Sequence, residues 1–121
     1  MTVLLVEDNE KNMKLLRDVL QAKGYAVLEA GTGEDAVALS ASELPALVLM
    51  DVQLPGIDGV EALRRLRAAE RTASIPVVAL TAQAMDGDRE RFLAAGFDGY
   101  LSKPVDLTEL LATVESFRMP R

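Results

Sequence analysis

The stretch Val48-Leu49-Met50-Asp51-Val52-Gln53-Leu54-Pro55-Gly56 decides how the rest of the chain is read. With Leu47 before it, it begins as an unbroken apolar run, the pattern of a parallel strand covered on both faces. Asp51 then stands at the strand's carboxyl end, the edge where open parallel sheets place their reactive groups. Pro55-Gly56 supplies a turn directly afterwards. Taken alone, the stretch serves equally well as an ordinary strand-end aspartate that opens a turn. The choice depends on what the other strands bring to the same edge.

Composition narrows that choice. At 121 residues, half of them apolar, the chain suits one domain, residues 1–121, with a real hydrophobic core. No apolar run approaches the roughly 20 residues of a membrane span, and carboxylates at Glu7 and Asp8 come too early for a signal peptide. Cysteine is absent, which excludes disulfides and thiolate metal sites and fits a cytoplasmic protein. Histidine is absent too, removing imidazole bases, most zinc sites and any role as a phosphohistidine carrier. A formal charge of −6 argues against gripping nucleic acid or an anionic membrane. The acidic surplus reads as a solvated surface plus one local cation site.

Working outward, Thr2–Val6 is a second β-branched, apolar run, ending in Glu7-Asp8. Asn9 is a good N-cap, and from Glu10 the spacing turns helical, with Met13, Leu16, Val19 and Leu20 as one stripe and Gly24 as a left-handed stop. Tyr25–Ala30 reads as a strand, and Gly31-Thr32-Gly33 turns into an Ala-rich helix over about 34–42. These glycines are not a dinucleotide fingerprint, because GxGxxG is absent and the turn follows a second strand. Asp58 and Glu61 have capping-box-like spacing before a helix with Val60, Leu63 and Leu66 on one side and Arg64, Arg65 and Arg67 as a solvated face. Val77–Leu80 is a fourth strand, ending in Thr81-Ala82. Asp86-Gly87-Asp88 opens a helix over roughly 88–95 whose apolar stripe is thin, closed by Gly96. Gly99–Ser102 is a fifth strand before Lys103-Pro104, and Asp106 opens a last helix carrying Leu107, Leu110, Leu111, Val114 and Phe117. Strands and helices alternate, which implies an α/β fold: a parallel sheet with helices on both faces and right-handed crossovers.

Four of the five strands therefore finish in useful chemistry: Glu7 and Asp8, Asp51, Thr81, and Lys103. Three carboxylates packed together repel unless a cation sits among them. Hard oxygen ligands alone favour magnesium. A metal-bound carboxylate can act as a nucleophile toward phosphorus, and phosphoryl transfer then needs little beyond positioning and charge neutralisation. Lys103 and Thr81 suit two of the transferring oxygens. Each residue also has a plainer reading: Asp8 helps start the first helix, Glu7 is solvated, Lys103 forms a structural salt bridge to Asp51, and Thr81 is a β-branched strand residue. Together, in sheet order, they favour the functional reading.

Val6-Glu7-Asp8-Asn9, Leu49-Met50-Asp51-Val52-Gln53-Leu54-Pro55-Gly56, Ala79-Leu80-Thr81-Ala82 and Leu101-Ser102-Lys103-Pro104 closely resemble the motifs of response regulator receiver domains. The resemblance covers essentially the whole chain. The run from Val6 to Leu15 also looks like the single-domain regulators of the DivK type, and receivers of hybrid histidine kinases have similar starts. Met1 just before the first strand favours the single-domain form, and the chain stops one turn after its fifth helix, leaving no room for an output domain.

The resemblance implies a flavodoxin-like (βα)5 sheet in the order 2-1-3-4-5. It implies Asp51 as phosphoacceptor from a histidine kinase or histidine phosphotransfer protein, in two-component or phosphorelay signalling. Magnesium, with manganese as an alternative, would be bound by Asp8 and Asp51, by Glu7 through water and by the Gln53 backbone carbonyl. Thr81 would be the switch hydroxyl, with Ala82 beside it, Lys103 the counter-ion, Pro104 a cis-proline, and Tyr100 an aromatic that turns inward with Thr81. From the residues alone, Tyr100 could equally be a half-buried edge-strand side chain. Gln53 and Gln83 flank the site where relatives tune loss of the phosphoryl group, and both are neutral amides. The helix 4, strand 5 and helix 5 face would meet a downstream signalling protein or a second copy, giving a monomer or a phosphorylation-dependent dimer. Asn12, Met13 and Leu16, with the loop after Pro104, would dock the phosphodonor. Such a chain is a switch with at most self-phosphorylation and slow autodephosphorylation, not an enzyme. The rival is an aspartyl-nucleophile phosphatase, which would want an acid where Gln53 stands and a cap insertion. A flavodoxin-like cofactor binder shares the architecture, but this chain has no phosphate-cradling loop after its first strand and no histidine for cobalamin, and a degenerate receiver would not retain the full acidic, Thr and Lys set.

Overall fold

The computed structural model describes residues 1–82 and 87–118. Five strands alternate with five helices: β1 (Thr2–Val6), α1 (Glu10–Ala22), β2 (Ala26–Ala30), α2 (Gly33–Glu43), β3 (Leu47–Asp51), α3 (Gly59–Ala68), β4 (Val77–Thr81), α4 (Asp88–Ala95), β5 (Gly99–Ser102) and α5 (Leu107–Ser116). All strand pairs are parallel, as the alternation predicts, and the sheet order is β2-β1-β3-β4-β5, as the resemblance implies.

The continuous apolar runs become the three central strands because only strands covered on both faces can bury every side chain. Every residue of β3 and β4 is buried. Side-chain alternation then sorts them into two cores. Leu4, Val6, Val48, Met50, Val77 and Ala79 meet Ala36, Ala62, Leu63, Leu66 and Phe92 from α2, α3 and α4. Val3, Leu5, Leu47, Leu49, Val78 and Leu80 meet Met13, Leu16 and Leu20 of α1 and Leu110 and Val114 of α5. The edge strands β2 and β5 retain exposed positions.

Helix starts follow local chemistry. Asn9, Thr32, Asp58 and Asp106 each accept a hydrogen bond from the backbone amide three residues on, satisfying one orphan donor of α1, α2, α3 and α5. Gly24 takes φ +91°, past the end of α1.

Three details lie outside the sequence reading or differ from it. Tyr25 precedes β2: its amide bonds Leu20 O in the turn that ends α1 (3.1 Å), and its hydroxyl donates to Glu115 Oε2 (2.6 Å). Leu44, a non-glycine, adopts the left-handed region (φ 48°) at the end of α2. Arg67 does not belong to a solvated face. Arg64 and Arg65 do pair with Glu61 at the surface, but Arg67 reaches from the last turn of α3 to Ala73 O (3.0 Å), Ile75 O (2.7 Å), Gly96 O (3.2 Å) and Asp98 Oδ2 (2.9 Å). Its place at the helix end, beside the returning chain, gives the guanidinium carbonyl partners that its neighbours one turn earlier lack.

Candidate acidic phosphoryl site

The carboxyl edge of the sheet gathers the expected groups. Asp51 is the last residue of β3, on the same side as Leu47 and Leu49, and only 5% exposed. Glu7 follows β1, extends its ladder through its amide to Ala30 O (3.0 Å), and is only 3% exposed. Asp8 is exposed. One carboxylate oxygen from each of Glu7, Asp8 and Asp51 lies within 4.8 Å of the others.

Lys103 crosses to this cluster from the end of β5. Its Nζ donates to Asp51 Oδ2 (2.6 Å) and to Glu7 Oε1 (2.7 Å). Glu7 is thus not the solvated carboxylate of the plainer reading. Its second oxygen accepts from the Asn9 amide (3.1 Å), and Asp51 Oδ1 accepts from the Gln53 amide (3.0 Å).

Electrostatics follow from burial and from charge. Desolvation pushes the Glu7 pKa up, and the bonds from Lys103 and Asn9 only partly offset it; the Asp51 charge adds to the rise. Burial works to lower the Lys103 pKa, but bonds to Asp51 and Glu7 outweigh it and the net shift is upward. Three carboxylates against one ammonium leave a local surplus of two negative charges. An all-oxygen donor set with that surplus fits a hard divalent cation. Oxygens gathered within 4.8 Å of one another are close enough to share one such ion.

Thr81 closes β4, one position past Leu80, the register partner of Asp51, and is buried. Its carbonyl accepts from the Lys103 amide (2.7 Å), tying the ends of β4 and β5 together. The Lys103–Pro104 peptide is cis. Tyr100 is half-buried, with its ring 5.8 Å from Phe92 of α4. Gln53 is exposed, and Gln83 lies outside the described residues. Beside the cluster, Asn12, Leu15, Leu16, Ala82, Pro104 and Val105 join Glu7 and Lys103 around a cavity of about 380 Å³. Met13 does not line it, because Met13 sits on the stripe of α1 that packs into the core; Leu15, one position off that stripe, is 49% exposed and takes the place expected of it.

One residue passed unremarked in the sequence. Gly59, the first residue of α3, packs against the Asp51 carbonyl at a separation that no side chain would permit. An Asp-Gly pair opening a helix just after a strand-end aspartate was the available signal.

Residues 3–115 match the family model of the response regulator receiver domain. The chain belongs to that family. It is 42% identical over 116 residues to the polar-differentiation response regulator DivK of Brucella ovis, covering 96% of this chain and 94% of that protein. Among solved structures it is similar to the receiver domain of the sensor histidine kinase PA1611 from Pseudomonas aeruginosa PAO1, which has a magnesium ion coordinated in its active-site cleft. That match has a TM-score of 0.88 at 39% identity and covers 96% of this chain and 95% of that one. A third match, TM-score 0.88 and 31% identity, is to the co-crystal structure of the Saccharomyces cerevisiae histidine phosphotransfer protein Ypd1 with the receiver domain of its downstream response regulator Ssk1; it covers 97% of this chain and 88% of that one. The fold and the family are those expected from the four motifs. No helix among the described residues is long and apolar enough to cross a membrane.

Proposed function

We propose that Asp51 accepts a phosphoryl group from a partner's phosphohistidine and that the receiver works as a phosphorylation switch. The observation that carries this reading is the placement of one ammonium, Lys103, between Glu7 and Asp51 at 2.6–2.7 Å, with Asp8 alongside. When bound by Asp8 and Asp51, by Glu7 through water and by the Gln53 carbonyl, magnesium would neutralise charge on the transferring oxygens. Buried Glu7, already bonded to Lys103 and to the Asn9 amide, suits a position one water removed.

The Asp51 carboxylate attacks phosphorus. An O–P bond forms as the N–P bond of the phosphohistidine breaks, and its electron pair returns to the imidazole, which leaves neutral when its other nitrogen carries a proton. Asp51 loses its negative charge to the new acyl phosphate, so Lys103 transfers its ammonium contact to the phosphoryl oxygens, and the Thr81 hydroxyl donates to another. Gln53, a neutral amide on the following loop, supplies no acid or base to hasten hydrolysis. The cavity between α1 and the loop after Pro104, with Leu15 at its rim, docks the donor. Movement at Thr81 shifts the population of the α4–β5–α5 face, with Tyr100 half-buried on β5 against Phe92. That face meets a downstream protein or a second copy.

The test is direct. With magnesium and acetyl phosphate or a phosphorylated histidine donor, the chain is expected to take an acid-stable, base-labile label. Persistence of that label in Asp51→Asn overturns the assignment, and rapid turnover of free phosphomonoesters would favour the phosphatase instead.

A further inference from the structure

Gly59 opens α3 and is buried. Its amide donates to Val52 O at 2.9 Å. A Cβ added to Gly59 would fall 2.5 Å from the Asp51 carbonyl oxygen and 2.8 Å from Val52 Cα. Both are main-chain atoms, so no rotamer change relieves the contact. They are also held from behind: the Val52 amide bonds Leu80 O at 2.9 Å, and Asp51 is in register with Leu80 of β4. Gly59 is not among the glycines with positive φ. Glycine is required here for room, not for backbone freedom.

We propose that Gly59 is a positioning residue for the phosphoacceptor. Having no side chain, it seats the first turn of α3 directly on the Asp51–Val52 peptide, and that seat fixes where the Asp51 carboxylate stands relative to Lys103 and Glu7. The inference rests on the phosphoacceptor reading above. A Cβ at this position forces a shift of the helix or of the peptide by half an ångström, the gap between the 2.5 Å contact and the 3.0 Å that real Cβ atoms respect. In-line transfer to a carboxylate depends on such placement, and a misplacement of about 1 Å slows comparable reactions roughly 100-fold.

The fold contains its own comparison. A Cβ on Gly33 would fall 2.6 Å from Ile57 Cγ1 and 2.8 Å from Ile57 O, crowding of similar severity on the same loop. That contact does not touch Asp51.

The experiment measures labelling of the full chain by acetyl phosphate with magnesium, in which the Asp51 O–P bond forms as the donor's P–O bond breaks and acetate leaves with the electron pair. Rate constants are taken per folded molecule, with the folded fraction read by circular dichroism and TMAO added to hold weakened variants folded. Gly59→Ala is expected to lower the rate at saturating donor about ten- to a hundredfold with the half-saturating concentration within about threefold, while Gly33→Ala stays near wild type. In metal-free samples, amide NMR shifts at Asp51, Val52 and Gln53 should move in Gly59→Ala and not in Gly33→Ala. A second variant adds no atom near the site. Asp58→Ala removes the cap on Glu61 N (2.8 Å) and loosens the same turn, so it should slow labelling several-fold, with Asp58→Asn restoring it.

Labelling of Gly59→Ala at the wild-type rate per folded molecule overturns the inference alone. So does an equal loss in Gly33→Ala, or, should Gly59→Ala stay unfolded even in TMAO, wild-type labelling by Asp58→Ala. A wild-type chain that takes no label, or Asp51→Asn that keeps it, brings down the phosphoacceptor reading and this inference together.

Discussion

The two ends of the sheet carry two ion clusters built from the same kinds of side chain, and they do opposite things. At the amino end, Arg67 faces three carbonyls and Asp98, while Asp98 also accepts from the Val77 amide (2.8 Å) where β4 begins. Charges cancel and the acceptors are mostly fixed backbone, so the cluster is complete. At the carboxyl end, Lys103 serves two carboxylates while a third stands beside them. That cluster carries a formal surplus of negative charge, and burial pushes the pKa of Glu7 up against it. A saturated cluster holds elements together; an unbalanced one is ready to take a cation or to exchange a partner. The contrast is open to test by breaking each end separately.

Asp51→Asn gives the largest expected effect. Labelling should fall to background, at least about 100-fold, yet metal-free stability should change by less than about 1 kcal/mol, because Asn retains an acceptor for the Gln53 amide and relieves carboxylate repulsion. Its urea midpoint without magnesium is the measurement. Arg67→Ala should do the reverse. Loss of four bonds, one of them charge-paired, is expected to destabilise by about 2–3 kcal/mol, with the labelling rate per folded molecule unchanged. Arg67→Lys should recover only part of this, since one ammonium cannot reproduce a planar fork. A loss of rate per folded molecule in Arg67→Ala would erase the distinction between the ends.

What the sequence made legible follows from where information is local. Three buried strands with β-branched, unbroken apolar runs announce a parallel sheet, and parallel strands bring their carboxyl ends to one edge. Asp51, Glu7, Asp8, Thr81 and Lys103 were therefore readable as a group. Arg67 was not, because on a helical projection it lies off the apolar stripe just as Arg64 and Arg65 do. Its partners lie as far as Asp98 in the chain, and nothing periodic records that. Met13 and Leu15 show the same limit on a finer scale: the helical stripe itself put Met13 inside, and Leu15 was left to form the rim of the cavity. Gly59 was missed because a close approach is a property of two segments and a glycine can also be merely a cap or a turn.

Lys103→Met sharpens the comparison from the other side. It leaves Glu7 and Asp51 buried without their shared cation, which should lower metal-free stability at neutral pH by about 2–3 kcal/mol. Magnesium should then stabilise the variant more than it stabilises wild type, because the ion becomes the only neutralising charge. In Arg67→Ala the magnesium increment should match wild type. Melting temperatures with magnesium and with a chelator decide both; equal increments in wild type and Lys103→Met would mean that the ion does not sit where Lys103 does its work.

The smallest effect belongs to the exposed cluster on α3, which resembles the two sheet-edge clusters only in composition. Bonds from Arg64 and then Arg65 hold the Glu61 pKa at about 2, against an ordinary value of 4.5. A lowered carboxylate pKa means that the unfolded state binds its proton first as pH falls. The Glu61 contribution is therefore fully present above pH 4.5 and is lost as pH drops through about 2. Solvent and salt screen the pair, since Arg64 is largely exposed. Glu61→Gln should consequently leave the urea midpoint at pH 7 only slightly lower, flatten its decline between pH 4.5 and 2, and differ less from wild type at high salt. A steeper acid decline in Glu61→Gln would reverse the sign assigned to this pair.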